Sequence, residues 1–364
     1  MVNELWSPPG ANLSRAGFLR GSGLLLAAAA GGGLLGACAE PGSGQGQAAA
    51  GGDGEGTDFT FLSYLTLDTL SMSPEMLGLA GGYFADHGLN TEVQVVRGSP
   101  QALQTLLSGV APLTRVGAID LMTARTEQDQ PLVNVGTIVR RPSIRIIYSQ
   151  DRPLAAPEDF VGKTIGVPSE GGTSEKTLML MLQNSGIDPE QVTRQVVAQT
   201  PASFEMVRRG QLDGYMGSID IALMVESTQE GGAILNPADI AAVKADTQIY
   251  VTTEEAIEQH GDDLRSYLAA IREAVTSIVE DSDRSRTIET LRGEYSFATL
   301  DDDEVAPRAL DEGVALWTDD GNADELLVTD TDLWVEAVAE LEEAGFISGA
   351  EDPESWVDNS LLEQ

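Results

Sequence analysis

The apolar positions along this chain change between two spacings, one typical of strands and one typical of helices. From residue 59 onward, short alternating or β-branched runs are separated by stretches in which apolar side chains recur about every 3.6 residues. The runs predict strands at residues 59–65, 91–96, 113–118, 133–139, 143–148, 164–167, 195–197 and 247–252. The stretches between them predict helices, including 74–86, 175–184 and 200–209, and the pattern after residue 252 is helical. Strands that alternate with helices indicate an α/β fold with largely parallel sheets.

Small polar residues follow several of the predicted strands and precede a helix. After strand 164–167, Gly171 and Gly172 allow a tight turn, and Thr173 or Ser174 suits the N-cap of the next helix. Helix N-termini carry N–H groups that favour bound oxygens, and ligands of doubly wound sheets lie outside the carboxyl ends of strands. These positions therefore predict a ligand site, although ordinary turn chemistry explains the same residue types. The candidate ligand-binding residues are Tyr64, Leu65, Ser99, Gly117, Ala118, Arg140, Gly171, Gly172, Thr173, Ser174, Gly217, Ser218 and Asp220.

The N-terminal region has the pattern of an export signal. Arg15 and Arg20 make residues 14–20 a positively charged start, residues 21–35 are apolar and rich in Leu, Ala and Gly, and Leu-Gly-Ala-Cys ends at Cys38. This ending is similar to a bacterial lipoprotein cleavage box, which predicts a signal peptide over 1–37 and a lipid on Cys38. Ala16 stands where a twin-arginine signal has its second arginine, so the export route stays open. Residues 38–57 have the composition of a flexible tether, and we expect an extracytoplasmic, membrane-anchored location.

Composition excludes several other classes of protein. Acidic residues outnumber basic ones by 58 to 21, so the formal net charge is −37 and no basic surface is available for nucleic acid. The single Cys38 excludes an intramolecular disulfide, and the two histidines, His87 and His260, form no zinc motif. We therefore expect no metal and no cofactor. The acidity is typical of proteins that work in high salt, and a compositional bias of the proteome explains it equally well.

Several segments resemble one family. Residues 157–167 (Pro-Glu-Asp-Phe-Val-Gly-Lys-Thr-Ile-Gly-Val) resemble the segment that opens the second lobe of solute-binding proteins serving ABC importers. Residues 80–89, 210–216, 345–347 and 356–361 are similar to other recurrent segments of the subgroup that binds nitrate, sulfonates, taurine, thiamine pyrimidines and riboflavin. The likeness extends from about residue 58 to the C-terminus.

The resemblance implies a bilobal, type II periplasmic-binding-protein-like α/β fold with a two-strand hinge and a ligand cleft between the lobes. One lobe would comprise 58–142 and the return segment 249–364, whose helices would pack back on it, and the other 143–248. The implied function is capture of a small solute by lobe closure and its delivery to the transmembrane subunits of an ABC permease, by a monomer. An alternative is an enzyme resembling a pyrimidine precursor synthase, which would need a cofactor-bearing lysine and a cysteine-rich motif. Another is a ligand-sensing lipoprotein.

The residues leave the solute class open. Arg140 and two helix N-termini suit a sulfonate, nitrate or phosphate group, although the overall negative charge opposes anion capture at low salt. Aromatic side chains would instead stack on a pyrimidine, a flavin or a similar ring. The candidates for stacking are Tyr64, Tyr215, Tyr295 and Trp317. The expected ligand is a small organic solute with an anionic or ring-shaped polar group.

Overall fold

A computed structural model of the chain describes residues 56–128, 130–318 and 322–363. The predicted signal peptide, Cys38 and nearly all of the predicted tether lie outside the described residues. Within the described ranges, no helix has both the length and the apolar character needed to cross a membrane.

The described part of the chain alternates between strands and helices. The strands are β1 Thr57–Ser63, β2 Leu89–Val95, β3 Leu113–Gly117, β4 Leu132–Val139, β5 Arg145–Ser149, β6 Thr164–Val167, β7 Thr193–Val196, β8 Gly214–Gly217, β9 Gly232–Leu235 and β10 Gln248–Thr253. The α-helices are α1 Ser73–Ala80, α2 Tyr83–Asp86, α3 Gly98–Leu107, α4 Ala118–Gln128, α5 Thr173–Asn184, α6 Phe204–Arg208, α7 Ile219–Thr228, α8 Glu254–Glu280, α9 Ser285–Glu294, α10 Ala298–Asp301, α11 Val305–Trp317 and α12 Thr331–Glu343.

The strands form two five-stranded sheets with the same arrangement. The first sheet has the order β2-β1-β3-β10-β4, and the second has the order β7-β6-β8-β5-β9. In the first sheet β1 is parallel to β2 and β3, while β10 is antiparallel to β3 and β4. In the second sheet β6 is parallel to β7 and β8, while β5 is antiparallel to β8 and β9. We call the first sheet with its helices the first lobe, and the second sheet with its helices the second lobe.

The chain crosses between the sheets twice, from β4 to β5 and from β9 to β10. The antiparallel strand of the second sheet, β5, therefore follows directly from the first lobe, and the antiparallel strand of the first sheet, β10, follows directly from the second lobe. This exchange of one strand gives the bilobal periplasmic-binding-protein fold that the resemblance implied. The parallel strands feed helices through short loops, so the helix N-termini of both lobes point towards the region between the sheets.

Local chemistry explains where the helix and strand predictions differ from the structure. The helix predicted over 74–86 is two helices, because Gly82 adopts a left-handed φ of 79° between them. The helix predicted over 200–209 begins as a 3-10 turn at Pro201–Ser203 before α6. The N-cap of α5 is Gly172, so the expected N-cap role of Thr173 or Ser174 is wrong. The short strand β9 was not predicted because its four residues carry no alternation of apolar and polar side chains.

The first lobe has an aromatic centre around Tyr267 of α8. Its ring stacks with Phe59 at 5.1 Å, Phe61 at 5.2 Å and Phe84 at 4.7 Å between centroids. Apolar residues of α8 recur at helical spacing and face this core, as expected from the helical pattern of the sequence after residue 252. The buried members of that stripe are Leu264, Leu268, Ile271, Val275 and Ile278.

The C-terminal helices do not all pack on the first lobe. Helix α11 contacts α7 of the second lobe, and Arg308 of α11 lies 3.5 Å from Glu226 of α7. Trp334, Val338 and Leu341 of α12 are buried in an apolar cluster with residues of both lobes. The helical spacing of the sequence predicts one apolar stripe made of these three residues and Leu333, but Leu333 is 61% exposed, so its place in that stripe is wrong. The C-terminal segment therefore bridges the lobes on two sides.

Candidate functional site

A cavity of about 560 Å³ lies between the two lobes. Its wall is formed by the loops that follow β1, β2, β6 and β7, by the start of α7 after β8, and by residues at the two crossings. The first lobe supplies Tyr64, Leu65, Thr66, Asp68, Thr69, Ser71, Val95, Val96, Arg97, Gly98 and Ser99. The second lobe supplies Pro168, Ser169, Thr173, Ser174, Val197, Ala198, Gln199, Thr200, Ser218 and Ile221, and the crossings supply Ser143, Ile144 and Gln248. The wall is therefore rich in hydroxyl and amide groups set among apolar side chains.

Part of the predicted set of ligand-binding residues lines this cavity. The residues that do so are Tyr64, Leu65, Ser99, Thr173, Ser174 and Ser218. They come from both lobes, and the structure brings them together although they are far apart in sequence. Their role in binding remains a prediction.

Gly117 and Ala118 do not line the cavity: Thr173 of the second lobe covers Gly117, and Ala118 is buried in an apolar cluster. A Cβ atom at Gly117 would lie 2.6 Å from the Thr173 hydroxyl oxygen. That hydroxyl also contacts the Ser99 hydroxyl at 3.0 Å and donates to the Asp120 carboxylate at 2.5 Å, both in the first lobe. The N-terminus of α5 is thus used mainly for contact between the lobes.

Asp220 is also placed between the lobes rather than on the cavity wall. Its carboxylate is 1% exposed and accepts hydrogen bonds from the Thr69 hydroxyl at 2.9 Å and the Leu70 backbone N–H at 3.0 Å. The hydroxyls of Ser218 at 2.6 Å and Thr299 at 2.8 Å also donate to it. With four protein donors, this carboxylate has no need of a ligand.

Arg140 does not face the cavity. Its guanidinium donates to the backbone carbonyl oxygens of Glu325 at 2.5 Å and Val328 at 2.7 Å. The expectation that Arg140 pairs with an anionic solute is therefore wrong. The side chain fastens the segment before α12 to the end of β4.

The remaining predicted glycines shape the loops without lining the cavity. The Gly171 N–H donates to the Glu175 carboxylate at 2.5 Å, which closes the turn before α5. Gly172 lies against the side chain of Ser169, and Gly217 is the buried last residue of β8. These glycines permit the close packing that positions their neighbours.

Of the four aromatic residues predicted to stack on a ring-shaped solute, one lines the cavity and three do not. Tyr64 lines the cavity, and no described residue hydrogen-bonds its phenol. Tyr215 is fully buried and donates to the carbonyl oxygen of Thr200 at 3.0 Å. Trp317 and Tyr295 belong to the first core cluster, the tryptophan as a buried member and the tyrosine as a partly buried neighbour. Only Tyr64 of the four is therefore placed to stack on a solute.

Charged side chains on the cavity wall are confined to its rim in the described part of the chain. These are Asp68 and Arg97, both exposed. A further cation, Arg115, lies fully buried behind the wall, 3.0 Å from the buried Glu75 carboxylate. Burial opposes the charged guanidinium, but Glu75 more than compensates and raises the pKa of Arg115 above its usual value. The inner wall is therefore uncharged.

Sequence reasoning missed the residues at the two crossings between the lobes. Ser143 and Gln248 line the cavity and are 7% and 6% exposed. Ser143 is the first residue of one predicted hinge strand and Gln248 the second residue of the other, and a polar side chain next to an apolar run is a weak signal. Thr69, Ser71 and Gln199 were missed because they lie in loops without a motif.

Comparisons with known proteins agree with this architecture. Residues 71–285 match the family model described as NMT1/THI5 like, which is more than half of the chain. The formylaminopyrimidine-binding protein of Halalkalibacterium halodurans is 26% identical over 217 residues, which cover 58% of this chain and 64% of that relative. The riboflavin-binding protein RibY of Chloroflexus aurantiacus is 24% identical over 309 residues, covering 83% of this chain and 84% of RibY.

A solved structure shows the same fold. The alkanesulfonate-binding protein SsuA of Xanthomonas axonopodis pv. citri, bound to MOPS, superposes with a TM-score of 0.63 at 15% identity. The superposition covers 84% of this chain and 99% of SsuA. At that identity the match concerns the fold alone.

Proposed function

This chain belongs to the NMT1/THI5-like family, and we propose that it is the solute-binding protein of an ABC importer. Its two lobes would close on a small solute outside the cytoplasm and then present it to a permease. The observation that carries this proposal is the cavity between the lobes, whose wall is built from both lobes and from the two crossings. Such a cavity changes shape when the lobes move, which couples binding to closure.

We also propose that a lipid on Cys38 holds the protein at the membrane. The support is the sequence pattern alone: an apolar run ends in Leu-Gly-Ala-Cys, and Cys38 is the single cysteine of the chain. A tether of small and polar residues then precedes β1. The folded part would work as a monomer close to its permease.

We propose that the solute is an uncharged ring compound that carries hydrogen-bonding groups. The inner wall has no charged side chain among the described residues, so a buried sulfonate or nitrate would lose its hydration without meeting a cation. Hydroxyl and amide groups alternate with apolar side chains, and Tyr64 offers a ring face and an unpaired phenol. Formylaminopyrimidine and riboflavin, the solutes named for the two relatives, are compounds of this kind.

An enzyme that carries its cofactor on a lysine does not fit the cavity. The three lysines of the chain lie elsewhere and each pairs with a carboxylate. Lys163 contacts Asp213, Lys176 contacts Asp120, and Lys244 contacts Glu336. The named relatives are likewise binding proteins.

Isothermal calorimetry and thermal unfolding with four probes test the proposal. The probes are riboflavin, formylaminopyrimidine, an alkanesulfonate and nitrate, each added to the purified full chain. A probe at 100 times its Kd should raise the free energy of unfolding by about 2.7 kcal/mol. Binding of a ring compound that is weakened in Tyr64→Ala supports the proposal. Binding of the sulfonate or nitrate alone would refute the proposed solute class, and turnover of any probe would refute a pure binding role.

A further inference from the structure

Two polar residues from the two crossings meet at the floor of the cavity. Gln248 begins β10 and Ser143 precedes β5, and the Gln248 side-chain N–H donates to the Ser143 hydroxyl oxygen at 3.0 Å. Both residues are buried, and both line the cavity. We call this pair the floor of the cavity, because it is formed by the two crossings between the lobes.

A buried arginine fixes the orientation of the Gln248 amide. Arg115 donates to the Gln248 carbonyl oxygen from Nε at 3.0 Å and from Nη2 at 2.7 Å. A guanidinium has donors only, so the amide must turn its oxygen towards Arg115 and its nitrogen towards Ser143. The chemistry of Arg115 therefore decides which end of the amide faces the floor.

The fixed amide in turn sets the role of the Ser143 hydroxyl. The Ser143 oxygen already accepts a hydrogen bond from Gln248, and no described residue accepts the hydroxyl hydrogen. The second hydrogen of the Gln248 amide also has no described acceptor. Both of these unused groups are donors, so the floor is set to receive an acceptor atom of a solute.

The positive charge behind the floor is neutralised inside the protein. The Arg115 Nη1 contacts both carboxylate oxygens of Glu75, at 3.1 and 3.0 Å, and donates to the Ser71 carbonyl oxygen at 3.1 Å. The Tyr250 hydroxyl donates to the same carboxylate at 2.7 Å. Arg115 therefore acts on the cavity through the orientation of Gln248 and not as an uncompensated charge.

We infer that Ser143 and Gln248 form a subsite for an uncharged carbonyl-type oxygen of the solute, and that Arg115 is the residue that positions them. This inference rests on the proposed function and names the group of the solute that lies deepest. A neutral oxygen fits because it gains two donors without bringing a charge into an uncharged wall.

Calorimetry on the full chain tests the subsite with two probes that differ by one carbonyl. The probes are formylaminopyrimidine and the same aminopyrimidine without its formyl group. Gln248→Glu keeps an oxygen for Arg115 but loses both N–H donors, so it should weaken the formylated probe by about tenfold or more and the unformylated probe much less. Ser143→Ala should act in the same direction. Arg115→Lys retains the charge opposite Glu75 without holding the amide at two points, so it should reduce the preference for the formylated probe.

The control is Gln199→Glu, which places the same negative charge on the cavity wall away from the floor. Equal losses in Gln199→Glu and Gln248→Glu would show an effect of charge alone and would overturn the subsite. So would equal losses of the two probes in Gln248→Glu.

A crystallographic soak separates failure of the subsite from failure of the proposed function. Crystals of the full chain are soaked with N-methylacetamide or with methanesulfonate, which do not depend on knowing the natural solute. The amide oxygen is expected at about 3 Å from the Ser143 hydroxyl and the Gln248 nitrogen. Methanesulfonate at the floor, or no amide there, overturns the subsite. If none of the ring probes binds in calorimetry, the proposed solute class is refuted. The soak then still tests independently whether Ser143 and Gln248 bind a neutral oxygen.

Discussion

The carboxylate of Asp220, in the first turn of α7, accepts a hydrogen bond of 2.9 Å from the hydroxyl of Thr69. Asp220 belongs to the second lobe and Thr69 to the loop after β1 of the first lobe, so this bond joins the lobes. Both residues are buried, at 1% and 4% exposure. The two lobes are therefore in contact with each other, and Asp220 contributes to this contact.

We expect Asp220→Asn to favour separation of the lobes. The amide nitrogen of Asn would face donors where the carboxylate accepts four hydrogen bonds, which leaves buried groups unpaired. The cost should be about 2–4 kcal/mol of unfolding free energy. Urea unfolding measures this cost, and small-angle X-ray scattering measures the expected increase in the radius of gyration.

Glu226→Gln serves as the control for that substitution. Glu226 lies on the same helix, and it is 3.5 Å from Arg308 in a half-exposed ion pair. Such a pair contributes little, so its loss should change stability by less than about 1 kcal/mol. If Asp220→Asn is as mild as Glu226→Gln, the buried carboxylate is not a contact that holds the lobes.

Gly117→Ala should hinder closure by a steric route. The new Cβ would overlap the side chain of Thr173, with the Thr173 oxygen only 2.6 Å away. The expected result is a larger radius of gyration and weaker solute binding, because the α5 loop could no longer approach β3. Adding Thr173→Ala removes the overlapping oxygen and methyl group and should restore much of the closure. If Gly117→Ala alone gives the same scattering as the parent protein, the α5 loop can move aside without opening the lobes.

The strands and loops could be predicted from the sequence more reliably than the contacts between them. Strand β6 has the predicted bounds, because a short buried run between glycine and proline signals is a local pattern. Thr173 and Asp220 lie in the first turns of the helices α5 and α7, but their partners Ser99 and Thr69 lie 74 and 151 residues away in the chain. No local pattern carries that information.

The sequence wrongly placed Arg140 at the cavity and did not identify Gln248 there, and both errors have the same physical reason. Arg140 follows a predicted strand, but whether its side chain turns to the cavity or to the C-terminal segment depends on the packing of residues beyond 320. Gln248 begins a strand that was predicted, yet its place on the floor requires Arg115 from another strand. A site at the junction of two lobes is a property of the assembled fold.

Cys38→Ser should release the protein from the membrane fraction. The thiol of Cys38 is the predicted point of lipid attachment, and serine cannot form the thioether. Fractionation of cells that express the two forms, followed by mass spectrometry of the membrane-bound form, checks this. Solute binding should be unchanged, which distinguishes loss of the anchor from loss of the fold. A variant that stays in the membrane fraction would contradict lipid anchoring through this residue.

Asp246 should make the protein less stable as the pH rises through neutrality. It lies just before β10 and is 3% exposed, and its Oδ2 has no hydrogen-bond partner among the described residues. Burial raises the pKa of Asp246 to about 7, against the opposing effect of Arg145. The folded state therefore binds this proton more tightly than the unfolded chain, whose aspartates titrate near pH 4.

The direction of the pH dependence of stability follows from this difference in the pKa of Asp246 between the folded and unfolded states. Stability from this group is fully present below about pH 4 and is lost as the pH rises through about 7, a change of about 4 kcal/mol. Asp246→Asn cannot ionise, so its stability should vary less with pH and exceed that of the parent protein at pH 8. Urea unfolding between pH 5 and pH 8.5 measures both forms. Asp239→Asn is the matched control, since Asp239 is exposed and also acts on Arg145. Equal pH dependence in the parent protein and Asp246→Asn would show that this carboxyl does not titrate as its burial requires.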